Sequence, residues 1–372
     1  MRSIKIDFVS LLFLLTGVSA ICKNFGANCP ENAPCCLQGW CSNDSRYCAV
    51  GCEPENSFKP ASCYPQPKCV SFKEEFNQPK IATLSNFTGD PTVADWTSDF
   101  LPDHSTIENG NLILNMPLGQ QNNEFGRVQG FGATVSSVRW LDYGVVNARI
   151  KTASTSPGIV SSFITRNLFG DEIDFEWVGK NSREIQQNFY YNNVLNYTNA
   201  RFSVIEADTS ADYHIYTIDW QPDYIRWSVD GQELRTVNRQ DTWDPELKAF
   251  KFPYRPQRVQ FSIWDAGQAS DGTSEWAGGR TDWSDANRVY KMYIDWVDVQ
   301  CKYSGNETAP WPGPGYDKPT INPNATVPHT DMPGSNRHDD GLSKPSAADR
   351  IATSILSPYT LFLIFTLMLS YY

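Results

Sequence analysis

The chain has 372 residues, 40% hydrophobic and 13% aromatic, enough for one large core with small attachments. A formal net charge of −11 argues against a nucleic-acid partner and fits a neutral or weakly charged ligand such as a polysaccharide.

Residues 1–20 carry Arg2 and Lys5, an apolar run over 8–15 and the small residues Val18, Ser19 and Ala20, a pattern that predicts a secretory signal peptide cleaved after Ala20. Such a chain enters an oxidising compartment, where cysteines pair. Nine of the ten cysteines lie between Cys22 and Cys69, with Cys35 and Cys36 adjacent. Zinc does not account for the cluster, because the chain has four His and none is near it. No metal or other cofactor is expected. Residues 53–68 contain Pro54, Pro60, Pro65 and Pro67 without periodicity and read as a linker tied down by disulfides.

Residues 69–304 read as the main domain. Short alternating segments at 144–152, 158–165, 171–178, 188–194, 213–220, 224–229, 258–264 and 289–299 are punctuated by turns such as Asp230-Gly231 and Ala266-Gly267. With no convincing amphipathic helix among them, they predict an all-β chain, an antiparallel β-sandwich.

Within 171–178, Glu172, Asp174 and Glu176 stand at alternate positions and share one face of a strand, while Ile173 and Phe175 point into the core. Two strand repeats of about 3.3 Å put the Glu172 and Glu176 Cα atoms roughly 6.5 to 7 Å apart, and side-chain convergence brings the carboxyls to about 5 to 5.5 Å, the separation of a retaining glycosidase pair. Neighbouring like charges raise at least one pKa, so a proton is held in the row near neutrality, as a general acid needs. An ordinary solvated sheet edge would mix Lys or Thr among its acids. On 258–264, Val259, Phe261 and Ile263 form an apolar face; Arg258, Gln260, Ser262 and Trp264 share the other, supplying hydrogen-bonding groups and a stacking ring for a sugar. Asn188 and Tyr190 share a parity nearby and are further candidates for substrate contact. Trp220, Trp227 and Trp296 alternate with apolar neighbours and are assigned to the core.

Residues 305–345 turn to Pro, Gly, Asn, Thr, Asp and Lys, a composition that predicts a disordered stalk. Residues 346–372 then give Ser346-Ala347-Ala348, a spacer and an apolar tail from Tyr359, matching a GPI-attachment signal with Ser346 as the attachment residue. A membrane span would want about twenty apolar residues followed by Lys or Arg, and both are lacking. Sequons at Asn43, Asn86, Asn196, Asn306 and Asn324 fit a secreted glycoprotein.

The run Glu172-Ile173-Asp174-Phe175-Glu176 resembles the E-[ILV]-D-x-E signature of glycoside hydrolase family 16. The surrounding Gly144, Ala148, Arg149, Ile150, Lys151, the run 158–163 and Asn188-Phe189-Tyr190 are similar to its fungal Crh branch, transglycosylases that join chitin to glucan in the cell wall. The resemblance implies a β-jelly roll with a glycan cleft, Glu172 as nucleophile, Glu176 as acid/base and Asp174 between them. The Gly272–Gly279 loop resembles the one bordering the family's donor subsites, which makes Thr273 and Trp276 candidates. Residues 21–52 resemble a hevein-type chitin-binding module, implying the pairs Cys22 with Cys36, Cys29 with Cys41, Cys35 with Cys48 and Cys52 with Cys63. Cys69 and Cys301 are then left to clasp the main domain. Trp40 and Tyr47 match the module's sugar platform, whereas Leu37 replaces a serine that bonds the acetamido carbonyl. The implied function is a retaining transglycosylase with chitin as donor and β-1,3/β-1,6-glucan as acceptor, held at the outer face of the plasma membrane and in the cell wall by a GPI anchor. A secreted β-glucan hydrolase and a non-catalytic lectin-like wall protein are the alternatives.

Overall fold

The computed structural model describes residue 22 and residues 28–37, 39–194 and 196–303. The expected signal peptide, stalk and anchor signal, with Ser346 and the sequons at Asn306 and Asn324, lie outside the described residues.

Two sheets face each other. One has eight strands in the order Arg201–Val204, Glu184–Tyr190, Glu172–Val178, Ile159–Arg166, Arg258–Asp265, Thr134–Ser137, Trp96–Phe100 and Ile81–Thr83. Only the last pair is parallel. The other runs Gln232–Asn238, Tyr224–Val229, His214–Trp220, Gly144–Lys151, Val289–Cys301, Asn111–Asn122 and Ser105–Glu108, with Phe72–Glu74 and Val128–Gly130 paired off this path.

Alternation builds the core between them. Gly144–Lys151 alternates strictly, turning Val146, Ala148 and Ile150 inward. In the eight-stranded sheet Phe175 lies opposite Phe163, and Phe163 opposite Phe261. Their rings stack at centroid distances of 6.1 and 5.2 Å. Directly opposed residues share a face, so this row of phenylalanines buried below commits Glu172, Asp174 and Glu176 to the outer face. Trp227, fully buried in the second sheet, ties the two together by donating its indole N–H to the Asp174 carbonyl at 3.0 Å.

Trp220 and Trp227 are core residues, but Trp296 is not. A bulge opposite Arg149 and Ile150 shifts the register of Val289–Cys301, so burial passes from Ile294 to Val297, and Trp296 is left half-buried under the Lys73 ammonium. The strand expected at 188–194 covers Glu184–Tyr190 instead, because Asn192 and Asn193 turn the chain with φ of 51° and 58°.

Five disulfides join Cys22 to Cys36, Cys29 to Cys41, Cys35 to Cys48, Cys52 to Cys63, and Cys69 to Cys301. The stretch 53–68, spanned in part by the Cys52–Cys63 bond, is also hydrogen-bonded to the residues on either side of it. Glu53 N–H donates to the Cys36 carbonyl, Phe58 N–H to Pro34 and Tyr64 N–H to Cys48, while Trp140 of the sandwich donates to Pro67. Ala49 and Val50 of the cystine module pack with Leu84, Phe87, Ala94, Val138 and Trp140 in one small core. At Gly51 (φ 79°) a Cβ would come within 3.1 to 3.2 Å of the Leu168 and Leu37 side chains. Leu37 is buried at this contact. Trp40 stands exposed, and Tyr47 packs half-buried against the Cys35, Cys48, Cys52 and Cys63 cluster.

Candidate active site

Cross-strand register lays out the outer face in rows. Tyr190, Glu172, Arg166 and Arg258 form one; Asn188, Asp174, Ile164, Gln260 and Ser136 the next; Phe202, Gln186, Glu176, Ser162 and Ser262 a third. The three acids thus stand on adjacent rows of a single strand. Four strand repeats, not two, lead from Glu172 to Glu176. Their Cα atoms are therefore about 13 Å apart along an extended strand, and the 6.5 to 7 Å spacing applies to each Glu and Asp174. The two Glu side chains approach one another only by leaning over the shorter Asp174.

The electrostatics differ from acid to acid. Asp174 is buried, and burial, followed by the Glu172 and Glu176 charges, pushes its pKa well above the usual carboxylate range. Glu176 is pushed up to about 8, first by burial and then by the Glu172 charge, against a lowering hydrogen bond from Ser162 Oγ at 3.4 Å. Glu172 has Arg166 Nε at 3.5 Å from Oε2. A carboxyl that holds its proton up to about pH 8, beside a second Glu that faces an arginine, is a nucleophile and acid arrangement.

Beside the acids lies a cleft of about 380 Å³ lined by Asp174, Glu176, Gln186, Asn188 and Tyr190 from the sheet, Tyr197, Ala200 and Phe202 from the adjoining edge, and Ser270, Gly272, Thr273 and Trp276 opposite. The wall opposite is a short helix, Asp271–Trp276, where an open loop was expected. Ser270 caps it by accepting from Thr273 N–H at 3.3 Å. Asp271 is clamped by Arg127 and Arg280 at 2.8 and 2.7 Å. Trp276 donates its indole N–H to Gln186 Oε1 at 3.1 Å and stacks on Trp264 at 5.9 Å and 19°.

Thr273, Trp276, Asn188 and Glu176 therefore line the cleft, and Trp264 supports Trp276 from behind it. Arg258 does not line it. Its guanidinium is buried and donates to the Ser137 carbonyl at 2.6 Å, to Thr97 Oγ1 at 2.5 Å and to Asp99 Oδ2 at 3.1 Å, leaving it committed to packing. Gln260 likewise donates to Ser136 Oγ at 2.8 Å and lies off the cavity. The right parity put both on the outer face, but the strands beside them consume their polar groups.

Tyr197, Ala200 and Phe202 carry no periodic signal in the sequence. They come from a 3-10 turn, Tyr197–Asn199, and an exposed edge strand. Gln186 was readable from parity with Asn188 and was not singled out. Asn196, half-buried, caps the same turn beside Tyr197, whereas Asn43 and Asn86 are exposed. The sulfurs of Cys22, Cys29 and Cys41 cluster, but all three are disulfide-bonded and offer no thiolate to a metal.

The family model of glycosyl hydrolases family 16 matches residues 94–298, which contain the three acids and both cleft walls. Crh-like protein 2 of Aspergillus fumigatus is 38% identical over 74% of this chain and 61% of its own length. Crh-like protein UTR2 of Candida albicans is 37% identical over 76% and 60%, and Congo red hypersensitive protein 2 of Saccharomyces cerevisiae 36% identical over 73% and 57%. The chain thus spans about three fifths of the length of these relatives. Among solved structures, the apo Crh5 transglycosylase has the same fold, with a TM-score of 0.51 over 66% of this chain and 92% of that one at 23% identity. The chain belongs to glycosyl hydrolases family 16.

Proposed function

We propose that the protein is a retaining transglycosylase that cleaves a chitin chain and transfers it to a β-glucan. The observation that carries the proposal is the acid row itself, with Glu176 holding a proton up to about pH 8 beside Glu172 at the edge of a sugar-sized cleft. In the first step a Glu172 carboxylate oxygen attacks the anomeric carbon, the bond to the leaving glycan oxygen breaks, and that oxygen takes the Glu176 proton. A glycosyl ester on Glu172 and a released fragment result. In the second, Glu176, now ionised, takes the proton of an acceptor hydroxyl whose oxygen attacks the same carbon, and the ester bond breaks to restore Glu172. Asp174, protonated between the two Glu, has a proton to offer Glu172 and orients it in that way.

Water and a sugar hydroxyl compete for the ester. Tyr197, Phe202 and Trp276 offer rings on which pyranose faces stack, raising the local concentration of acceptor hydroxyl and displacing water. Chitin as donor is supported by the Crh-like relatives and by the Crh5 transglycosylase solved in complex with NAG. The anchor reading of residues 346–372 would keep the cleft outside the plasma membrane, among wall polymers.

Incubating the purified protein with chitin oligomers and a fluorescent glucan acceptor separates the readings. Fluorescent product of increased size is expected. Shortened oligomers alone would mean a hydrolase, and unchanged oligomers would mean a binding protein.

A further inference from the structure

The turn that leads into the acid strand is held by a carboxylate the chemistry above does not use. Asp171 is fully buried. Its Oδ1 accepts hydrogen bonds from Asn192 N–H at 2.9 Å and Arg255 Nη1 at 3.3 Å, its Oδ2 from Arg255 N–H at 3.0 Å and Tyr254 N–H at 3.3 Å. Asn167 braces the same turn, accepting from Phe169 and Asp171 N–H at 2.9 and 3.2 Å and donating to the Pro256 carbonyl at 3.2 Å. At Gly170 (φ 82°) a Cβ would lie 2.2 Å from the Asn193 nitrogen, so the loop after Glu184–Tyr190 sits directly on the turn. Donors from two separate loops thus converge on one side chain, one residue before Glu172. Tying loops together does not require a buried charge, and a well-packed apolar residue serves stability as well. What four directional bonds add is orientation of the first peptide of the acid strand, and with it the Cα–Cβ vector of Glu172.

We infer that Asp171 is a positioning residue for the nucleophile: through the Asn192, Tyr254 and Arg255 N–H groups it fixes the backbone from which Glu172 reaches the anomeric carbon. The inference rests on Glu172 being that nucleophile. Attack on carbon tolerates little misplacement, and an error of about 1 Å costs on the order of a hundredfold.

The test is the rate at which the full-length protein is labelled by a 2-deoxy-2-fluoro glycosyl fluoride carrying a chitobiose tail, which traps the ester of the first step. In Asp171→Asn, which keeps the volume but turns an amide toward amide donors, the limiting labelling rate should fall about tenfold to a hundredfold with half-saturation unchanged. Val297→Ala, in the core of the opposite sheet, serves as a destabilised control whose labelling rate holds at temperatures where it is folded. Equal rates for wild type and Asp171→Asn, or a loss no larger than the control's, overturn the inference while leaving Glu172 on the labelled peptide. A wild-type adduct on another residue overturns the nucleophile reading and the inference with it. If Asp171→Asn is not recovered folded, Arg255→Gln decides, since it removes one donor and spares the three backbone ones. Labelling several-fold slower, restored by Arg255→Lys, supports the inference; an unchanged rate rejects it.

Discussion

Glu176 is neutral over most of the accessible pH range because ionising it would place a charge in a buried site beside Glu172. In the proposed mechanism its proton is the one the leaving oxygen receives, so kcat/KM for chitin oligomers should fall as pH rises through about 8. The same shift has a stability consequence of fixed sign. The fold raises the pKa from 4.5 to about 8, so the stabilisation is fully present below the lower value and is lost as pH rises through the upper. Thermal unfolding of the wild type at pH 5 and pH 9 should show that loss, and Glu176→Gln, with no proton to give up, should show less of it. Both Glu172→Gln and Glu176→Gln should reduce turnover at least a thousandfold, with circular dichroism unchanged, because the amides remove a nucleophile or a proton but little volume. Residual turnover near wild type in Glu172→Gln would sink the assignment. Asp174→Asn should cost less, since an amide can still donate to Glu172.

At the scale of elements, the strands that could be read were those whose outer face is polar and inner face apolar, as in Glu172–Val178 and Tyr224–Val229. Asn111–Asn122 escaped notice although it is among the longest strands, because Pro117, Gly119 and three Asn interrupt its alternation while its pairing with Val289–Cys301 supplies the context. Glu184–Tyr190 was displaced because its Gln186 and Gln187 are polar on both faces, and only burial by neighbouring strands explains both. The acids were legible and their environment was not: nothing local to Arg258 announces Asp99, 159 residues away, as its partner. The same holds for the cleft wall, where Arg127 reaches Asp271 across 144 residues. That clamp carries a prediction. Trp276 is tied to Gln186 and stacked on Trp264, so Trp276→Ala should raise KM for chitin oligomers about tenfold, stacking on a sugar being worth roughly the 0.5 to 1.5 kcal/mol of an aromatic pair, and lower Tm by only a few degrees through the lost stack on Trp264. A Trp276→Ala protein with unaltered KM and lowered Tm would make the ring a packing residue instead.

Across the whole molecule, the cystine module and the sandwich share a small core of Ala49, Val50, Leu84, Phe87, Ala94, Val138 and Trp140. A freely tethered sugar-binding module could be removed without consequence for catalysis on short soluble oligomers. Here its removal uncovers Leu84, Phe87, Val138 and Trp140, all buried, and takes away the close approach of Gly51 to Leu168, on the turn that leads to Glu172. Each large apolar side chain returned to water forfeits about 1.5 to 3 kcal/mol when exposure is complete, against a total stability of roughly 5 to 15 kcal/mol for a typical domain. The Cys69–Cys301 bond, closing a separation of 232 residues, limits the unfolded ensemble but cannot replace those contacts. Deleting residues 22–63, which removes both halves of the Cys52–Cys63 bond, should therefore lower Tm by more than ten degrees or abolish secretion, and should reduce activity on soluble oligomers as well as retention on insoluble chitin. The single substitution Val50→Asp should reproduce the Tm loss in milder form, since it places a charge in the shared core without touching Trp40. Differential scanning fluorimetry with a parallel oligomer assay measures both. A truncated protein with wild-type Tm and full activity on soluble oligomers would show the module to be a detachable appendage, and its packing against Leu168 to be without consequence for the site.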